Sequence, residues 1–389
     1  MTVRTAVWVT EETPDRGRTG GSIRAAWLLE ALARAVPTDL VISGDRGSDR
    51  GVLDAVRSVV DVGPRVRPER SEVSRRLRTF AIALGRVPVE QRELAGVRAR
   101  MRPRLRAGAW DVACIEHLGL APLVADVGRA RSVVTLHNLA SERARHALPL
   151  QPSPRHRWVA GRDLAQALRA ERRAVETADR VVVSSPDDAA VLPGPAAIVP
   201  NGVDTSTFVP TPVPAEPVVV LTAALAYLPN VEGVQWFVER VWPAVREQVP
   251  AARLLVVGRE PVAAVRALGG DNAIEVHADV PDVRPYLQRA AVAIVPLNIG
   301  SGTRLKALEA MASGRPVVGT SIGLAGLGIT SGRHALVDDA PSDFARDVVR
   351  VLREPELRAR LAHEGRALVE ASFDWSAVTA RWLDVVLGD

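Results

Sequence analysis

The residues best suited to chemistry lie between positions 296 and 320, in PLNIGSGTRLKALEAMASGRPVVGT. An apolar run, Val292–Pro296, leads into Gly300-Ser301-Gly302-Thr303, and a helical pattern begins at Arg304. Two glycines let backbone approach a ligand closely. Ser301 or Thr303 can cap the helix. The unpaired N–H groups and positive end of a helix make an anion site. Arg304 and Lys306 add two cations, and Glu309 shares the helix face of Lys306. Lys306 is the single lysine in a chain of 50 Lys and Arg residues. Where charge alone is needed this sequence uses arginine, and an ammonium is not a substitute for a guanidinium. The set suits a nucleoside diphosphate. Backbone N–H groups and both cations would hold the diphosphate, and the Glu309 carboxylate would accept hydrogen bonds from two ribose hydroxyls. Cations fixed at a departing diphosphate stabilise the transition state more than the ground state, without a metal. The alternative is a capped surface helix with a Lys306–Glu309 ion pair, worth about 0.2–0.5 kcal/mol.

Further candidates stand at the ends of apolar runs in the first half. Gly20-Gly21-Ser22 follows the first run and precedes a helical pattern from Ile23, which by itself reads as a plain strand-to-helix turn. Arg24 in that first helical turn opposes the helix dipole, which an anion nearby or solvent would explain. His137 ends VVTLH, and in open α/β sheets the carboxyl ends of strands carry the site. Glu116 and His117 end the preceding run in the same way, as an acceptor-side base and its neighbour. The stretch Arg65–Arg106 is strongly basic and interleaved with Phe80, Ile82 and Leu84. It reads as a peripheral contact with an anionic membrane, as a binding face for an acidic acceptor, or as a solvated helical face.

Composition excludes several classes. Cys114 is the single cysteine, so there is no intramolecular disulfide and no cysteine metal cluster. The histidines lack metal-ligand spacing. There is no Gly-x-Ser-x-Gly elbow and no Walker A string. Aromatic residues are 4% and none form a stacking platform among the arginines, so nucleic acid is not the expected partner. The N-terminus lacks a signal-peptide core, and no run reaches the ~20 apolar residues of a membrane helix. The expected location is the cytoplasm, with the inner membrane face as an option.

These candidates need elements to hold them. In 389 residues, 47% of them hydrophobic, two cores can form. Short Val/Ile-rich runs predict strands at Thr5–Thr10, Asp39–Ser43, Asp111–Ile115, Ser132–Leu136 and Arg180–Ser184. A second set falls at Val218–Ala223, Arg253–Val257, Ile274–Val276, Val292–Pro296, Pro316–Gly319 and Ala335–Val337. Helical patterns at Ile23–Ala35, Val234–Val249 and Arg304–Ala312 lie between strands, and Trp375–Leu387 follows the last. Alternation of strand and helix predicts parallel sheets covered on both faces, in two Rossmann-like α/β domains. Thr207–Pro217 holds four prolines in eleven residues and reads as the linker. The expected domains are 1–207, 208–372 and a final helical segment 373–389.

At the residues around Lys306 the sequence resembles family 4 glycosyltransferases, which have the GT-B fold. LEAMASGRPVVGT at Leu308–Thr320 is similar to that family's donor-site signature. VPNGVDTSTF at Val199–Phe208, Tyr227-Leu228-Pro229-Asn230 with Trp236-Phe237, VPDVRPYL at Val280–Leu287, and Phe373-Asp374-Trp375-Ser376 follow the family's order. The resemblance implies two Rossmann-like domains facing across a cleft, with the last helix returning to the first domain. It implies a nucleoside-diphosphate sugar as substrate, no cofactor, and retention of anomeric configuration. It places the donor on the second domain, an unassigned acceptor on the first, and His137 near the transferred sugar, and it implies that the Gly20-Gly21-Ser22 loop faces the cleft and lets the donor diphosphate or the acceptor approach. Two positions depart from the pattern. The family's Glu-x7-Glu pair has Ser301 in place of its first glutamate, and Val218–Tyr227 lacks the usual Arg and Lys. Arg304 and Lys306 are expected to supply that charge. A GT-B epimerase and a non-catalytic GT-B partner protein are the alternative readings.

Overall fold

Each half of the chain folds around a parallel sheet built from its Val/Ile-rich runs. The computed structural model describes residues 4–388, apart from 12, 17–19, 45–48, 65–88, 150, 152, 271–272 and 300–303. The first sheet comprises β1 (Ala6–Thr10), β2 (Thr38–Ile42), β3 (Ser58–Asp61), β4 (Val112–Glu116), β5 (Arg131–Leu136), β6 (Arg180–Val183) and β7 (Ala197–Ile198). Its order is β3-β2-β1-β4-β5-β6-β7. The second comprises β8 (Val218–Ala224), β9 (Arg253–Arg259), β10 (Ile274–Ala278), β11 (Val292–Val295), β12 (Val317–Gly319) and β13 (Leu336–Val337), in the order β10-β9-β8-β11-β12-β13. Neighbouring strands run parallel throughout.

Every strand expected from the sequence is present within a residue or two at each end. The two that sequence patterning does not find, β3 and β7, are short edge strands whose residues are at most half-buried. Exposed edges carry little apolar signal. The central strands β1, β2 and β4 are buried at every residue, as helices on both faces require. Both sheets reverse their strand order once, between β1 and β4 and between β8 and β11. Crevices that hold ligands open at the carboxyl ends of such strand pairs.

Two compact units result, Met1–Pro200 with Thr379–Asp389, and Asn201–Val378. Thr207–Pro217 therefore falls within the second unit. Arg315 pins it there, donating to the Thr211 hydroxyl at 2.8 Å and to the Ala290 carbonyl at 3.2 Å. In the first unit Trp382 of the final helix, Trp375–Leu387, meets Trp8 of β1 edge-on at 5.8 Å. Both indoles are fully buried. Arg131 ties the end of the chain to the sheet through the Gly388 carbonyl, at 2.6 Å.

Two helices start earlier than the patterning suggests. The first begins at Gly20 rather than Ile23, so Gly20 and Gly21 form its opening turn and not a preceding loop. The helical run expected at Val234–Val249 begins at Leu228 with Pro229 in its first turn. It passes through a π segment at Phe237–Val241 before Trp242–Gln248. Pro243 explains the π segment: it has no N–H for the ladder, and the Trp242 N–H bonds five residues back to Phe237.

Candidate functional site

The β8/β11 switch point gathers three of the predicted donor residues, Arg304, Lys306 and Glu309. The helix Leu305–Ala312 starts just after β11 because its apolar residues Ala307, Leu308, Ala310 and Met311 pack into the second core. That leaves Lys306 and Glu309 on its other face. Arg304 occupies the capping position and its own side chain makes no capping hydrogen bond. Gly300, Ser301, Gly302 and Thr303 lie outside the described residues.

Lys306 does not pair with Glu309. Its ammonium donates to the Oδ1 of Asn230, and the Asn230 amide donates onward to the Ala224 carbonyl at the end of β8, at 2.7 Å. The surface ion pair that would make this an ordinary helix is absent among the described residues. Arg304 is buried and donates through Nε to the Ile322 carbonyl at 3.0 Å. Among the described residues the Glu309 carboxylate makes no hydrogen bond and no ion pair. Burial pushes Glu309 up to about 7, against the pull of Lys306 and Arg259. Burial and the Arg304 charge push Lys306 down to about 7, against the pull of Glu309. Both groups are therefore drawn toward neutrality because burial outweighs the pull of their oppositely charged neighbours.

Arg259 is a third cation here, and sequence patterning misses it. It ends β9, in register with Ala224 of β8, and its carbonyl accepts from the Leu225 N–H at 2.8 Å. Its position at the carboxyl end of a strand beside the switch point was the available signal. Gly233 brings the Leu228–Trp236 helix against β11, since a Cβ there would lie 2.4 Å from the Pro296 carbonyl oxygen.

The β1/β4 switch point holds the other candidates. Glu116 ends β4, is fully buried and pairs through Oε2 with Nε2 of His137. A general base must meet its substrate, and Glu116 reaches outward only through that imidazole. His117 stands at φ 73° and stacks on His137 with ring centroids 4.4 Å apart. Arg24 does not face solvent. It is buried and donates to the carbonyls of Val199 and Pro200 at 2.7 and 2.6 Å. Burial lowers its pKa to about 10, with Glu116 opposing. Gly20 and Gly21 are half-buried at the start of the same helix. Glu116, His117 and His137 thus form one cluster in the first unit, and Arg304, Lys306 and Glu309 another in the second.

The basic stretch divides. Residues 65–88 lie outside the described ones, and the rest form the helix Val89–Ala107. Arg98 and Arg100 there bind the carbonyls of Gly119 and Val62, and Arg102 and Arg106 bind Asp126. Arg98 and Arg100 are half-buried by these contacts, whereas Arg102 and Arg106 stay exposed. No helix among the described residues is long and apolar enough to cross a membrane. Among them no His, Cys, Asp and Glu cluster is arranged to hold a metal ion.

The chain is similar to several known proteins. Residues 216–354 match the family model for glycosyl transferases group 1. A D-inositol 3-phosphate glycosyltransferase of Nocardiopsis dassonvillei is 29% identical over 56% of this chain and 58% of its own. Glycogen synthase of Mycobacterium tuberculosis is 27% identical over 66% of this chain and 62% of its own. The chain thus spans about three fifths of the length of these two relatives. Among solved structures, sucrose-phosphate synthase from Thermosynechococcus elongatus superposes with a TM-score of 0.72 at 19% identity, over 98% of both chains. Anabaena Alr3699/HepE in complex with UDP-glucose does so with a TM-score of 0.64 at 12% identity, again over 98% of each. These likenesses show the fold, two Rossmann-like α/β domains of the GT-B kind.

Proposed function

We propose that the protein is a glycosyltransferase that moves a sugar from a nucleoside-diphosphate sugar to an acceptor hydroxyl or amine. The observation that carries this reading is the pair at the β8/β11 switch point, a Glu309 carboxylate that makes no hydrogen bond or ion pair among the described residues, on the same helix face as Lys306. The matched family model covers the same residues, and HepE is described with UDP-glucose bound. Glu309 takes the ribose hydroxyls. Lys306, Arg304 and the helix start take the diphosphate and neutralise the charge that grows as it leaves. With protein cations in that role the transfer needs no divalent ion, and it retains the configuration of the sugar. In the first unit His137 meets a hydroxyl of the sugar or the acceptor.

A thermal-shift screen of uridine, guanosine, thymidine and adenosine diphosphates tests the donor site. One of them should raise Tm in a concentration-dependent way, because a ligand that binds only the folded state stabilises it. Lys306→Met should abolish that shift and lower turnover by roughly 10²-fold or more. A Lys306→Met enzyme with near-normal turnover would sink the proposal. Turnover should be unchanged in EDTA, and loss of activity there would remove the metal-independent part.

A further inference from the structure

The buried cluster at the β1/β4 switch point does more than pack. Glu116 has 0% of its side chain exposed, yet it is a carboxylate at the end of a central strand. A buried charge is retained only where something compensates it. Here Oε2 is bound to His137, while Oε1 has no hydrogen-bond partner. The charged and titratable groups facing the cluster are Arg24 from the Gly20–Ala35 helix, His117 at the β4 end, and Cys114 within β4. Burial opposes ionisation of Glu116, but His137, His117 and Arg24 together hold its pKa below the usual carboxylate range. An ionised carboxylate only accepts hydrogen bonds. The proton between Glu116 and His137 therefore belongs to Nε2 of the imidazole.

The ring has little freedom left. His117 adopts a left-handed backbone conformation that few side chains take, held by its N–H to the Thr135 carbonyl at 2.9 Å. That conformation lays its imidazole on His137 at an interplanar angle of 26°. Strain of this sort concentrates at functional sites.

We propose that Glu116 is a positioning residue for His137. By accepting the Nε2 proton it selects one tautomer, so that Nδ1 presents a lone pair to a substrate hydroxyl, while the stacked His117 fixes the plane of the ring. His137 is neutral in this state: burial, His117 and Arg24 push its pKa below the ordinary histidine value, and Glu116 pulls it back only in part. The tautomer stands on the first unit alone. The hydroxyl it meets rests on the glycosyl-transfer reading above.

The test is long-range ¹H–¹⁵N correlation on the full chain labelled with ¹⁵N-histidine, with the His137 signals identified by their loss in His137→Asn. At about pH 7.5 the wild type should show His137 as the Nε2–H tautomer alone. Glu116→Gln should mix the tautomers and move the titration of His137 to lower pH, because the carboxylate that favoured the charged ring is gone. An Nδ1–H tautomer in the wild type overturns the proposal, and that measurement needs no variant. An unchanged tautomer and titration in Glu116→Gln overturns it too. Kinetics with the donor separate the second half. Glu116→Gln should lower kcat about tenfold or more, within the 10²–10⁴-fold that a positioned acid–base group contributes. Donor KM should hold within about twofold, the acid limb of the profile should shift to lower pH, and Glu116→Asp should recover part of the loss. A changed tautomer with unchanged kcat would show that transfer does not use His137, overturning its assigned contact while the positioning stands.

Discussion

Lys306 and Glu309 set the pH behaviour expected of the site. A bound diphosphate favours the charged ammonium, so binding draws a proton onto Lys306 once the solution is above about pH 7, and affinity falls as pH rises. Ribose hydroxyls favour the ionised Glu309, so affinity also falls as pH drops below about 7. Diphosphate affinity should therefore peak near neutrality in calorimetric titrations. Glu309→Gln should flatten the acid limb, and an unshifted acid limb in that variant would disprove the assignment. The same shifts bear on stability. A lysine whose folded pKa is depressed destabilises the fold below its unfolded pKa, in full once pH falls below the folded value. Lys306→Met keeps the length of the side chain and removes that cost. It should raise Tm at pH 6–7 by about 2 °C or more in scanning calorimetry, while weakening diphosphate binding.

At the scale of elements, two contacts decide whether the sites are held. Gly233 lets the Leu228–Trp236 helix lie against the β11 end, and that helix carries Asn230, the partner of Lys306. Gly233→Ala should cost about 1–3 kcal/mol through the forced shift. It should also weaken diphosphate binding, read by urea denaturation and titration on the same sample. A variant that loses neither would show that the helix position is not what places Asn230. Trp382 closes the first core against Trp8, and Trp382→Ala should cost about 3–5 kcal/mol by leaving a cavity. The π segment at Phe237–Val241 has a plain origin in Pro243, and no functional reading is attached to it.

The whole molecule repeats one solution twice. Each unit has a parallel sheet with one reversal of strand order, and each places its chemically able residues at the carboxyl ends beside that reversal. Cations and a buried carboxylate lie in the second unit, and an imidazole with a buried carboxylate in the first. Under the proposed function the second unit would hold the donor and the first would meet the acceptor. Water is a competing acceptor, and a transferase must disfavour it. Donor hydrolysis without acceptor should therefore be slow compared with transfer, measured as diphosphate release. Fast hydrolysis would favour an enzyme that acts on the nucleotide sugar itself.

How much of this was legible in advance depended on range. The central strands were readable because both faces are buried, which writes long Val/Ile runs into the chain. The edge strands β3 and β7 were not, because half-exposed residues lose that signal. The donor cluster was readable because Arg304, Lys306 and Glu309 are held by one helix whose period fixes their spacing. Arg259 escaped notice, since only the register of β9 on β8 brings it to the same end of the sheet. Glu116, His117 and His137 were each visible as strand-end residues. What patterning could not supply was their relation, because a hydrogen bond between β4 and β5 depends on strand pairing and not on sequence spacing. The sequence by itself determined most of the elements, the two-sheet plan and the single lysine at a helix start. Tertiary structure decided that Lys306 bonds Asn230 rather than Glu309, and that Glu116 turns inward to an imidazole. Local periodicity encodes which residues share a face, whereas the burial and pairing that set their charge states arise only when distant strands meet.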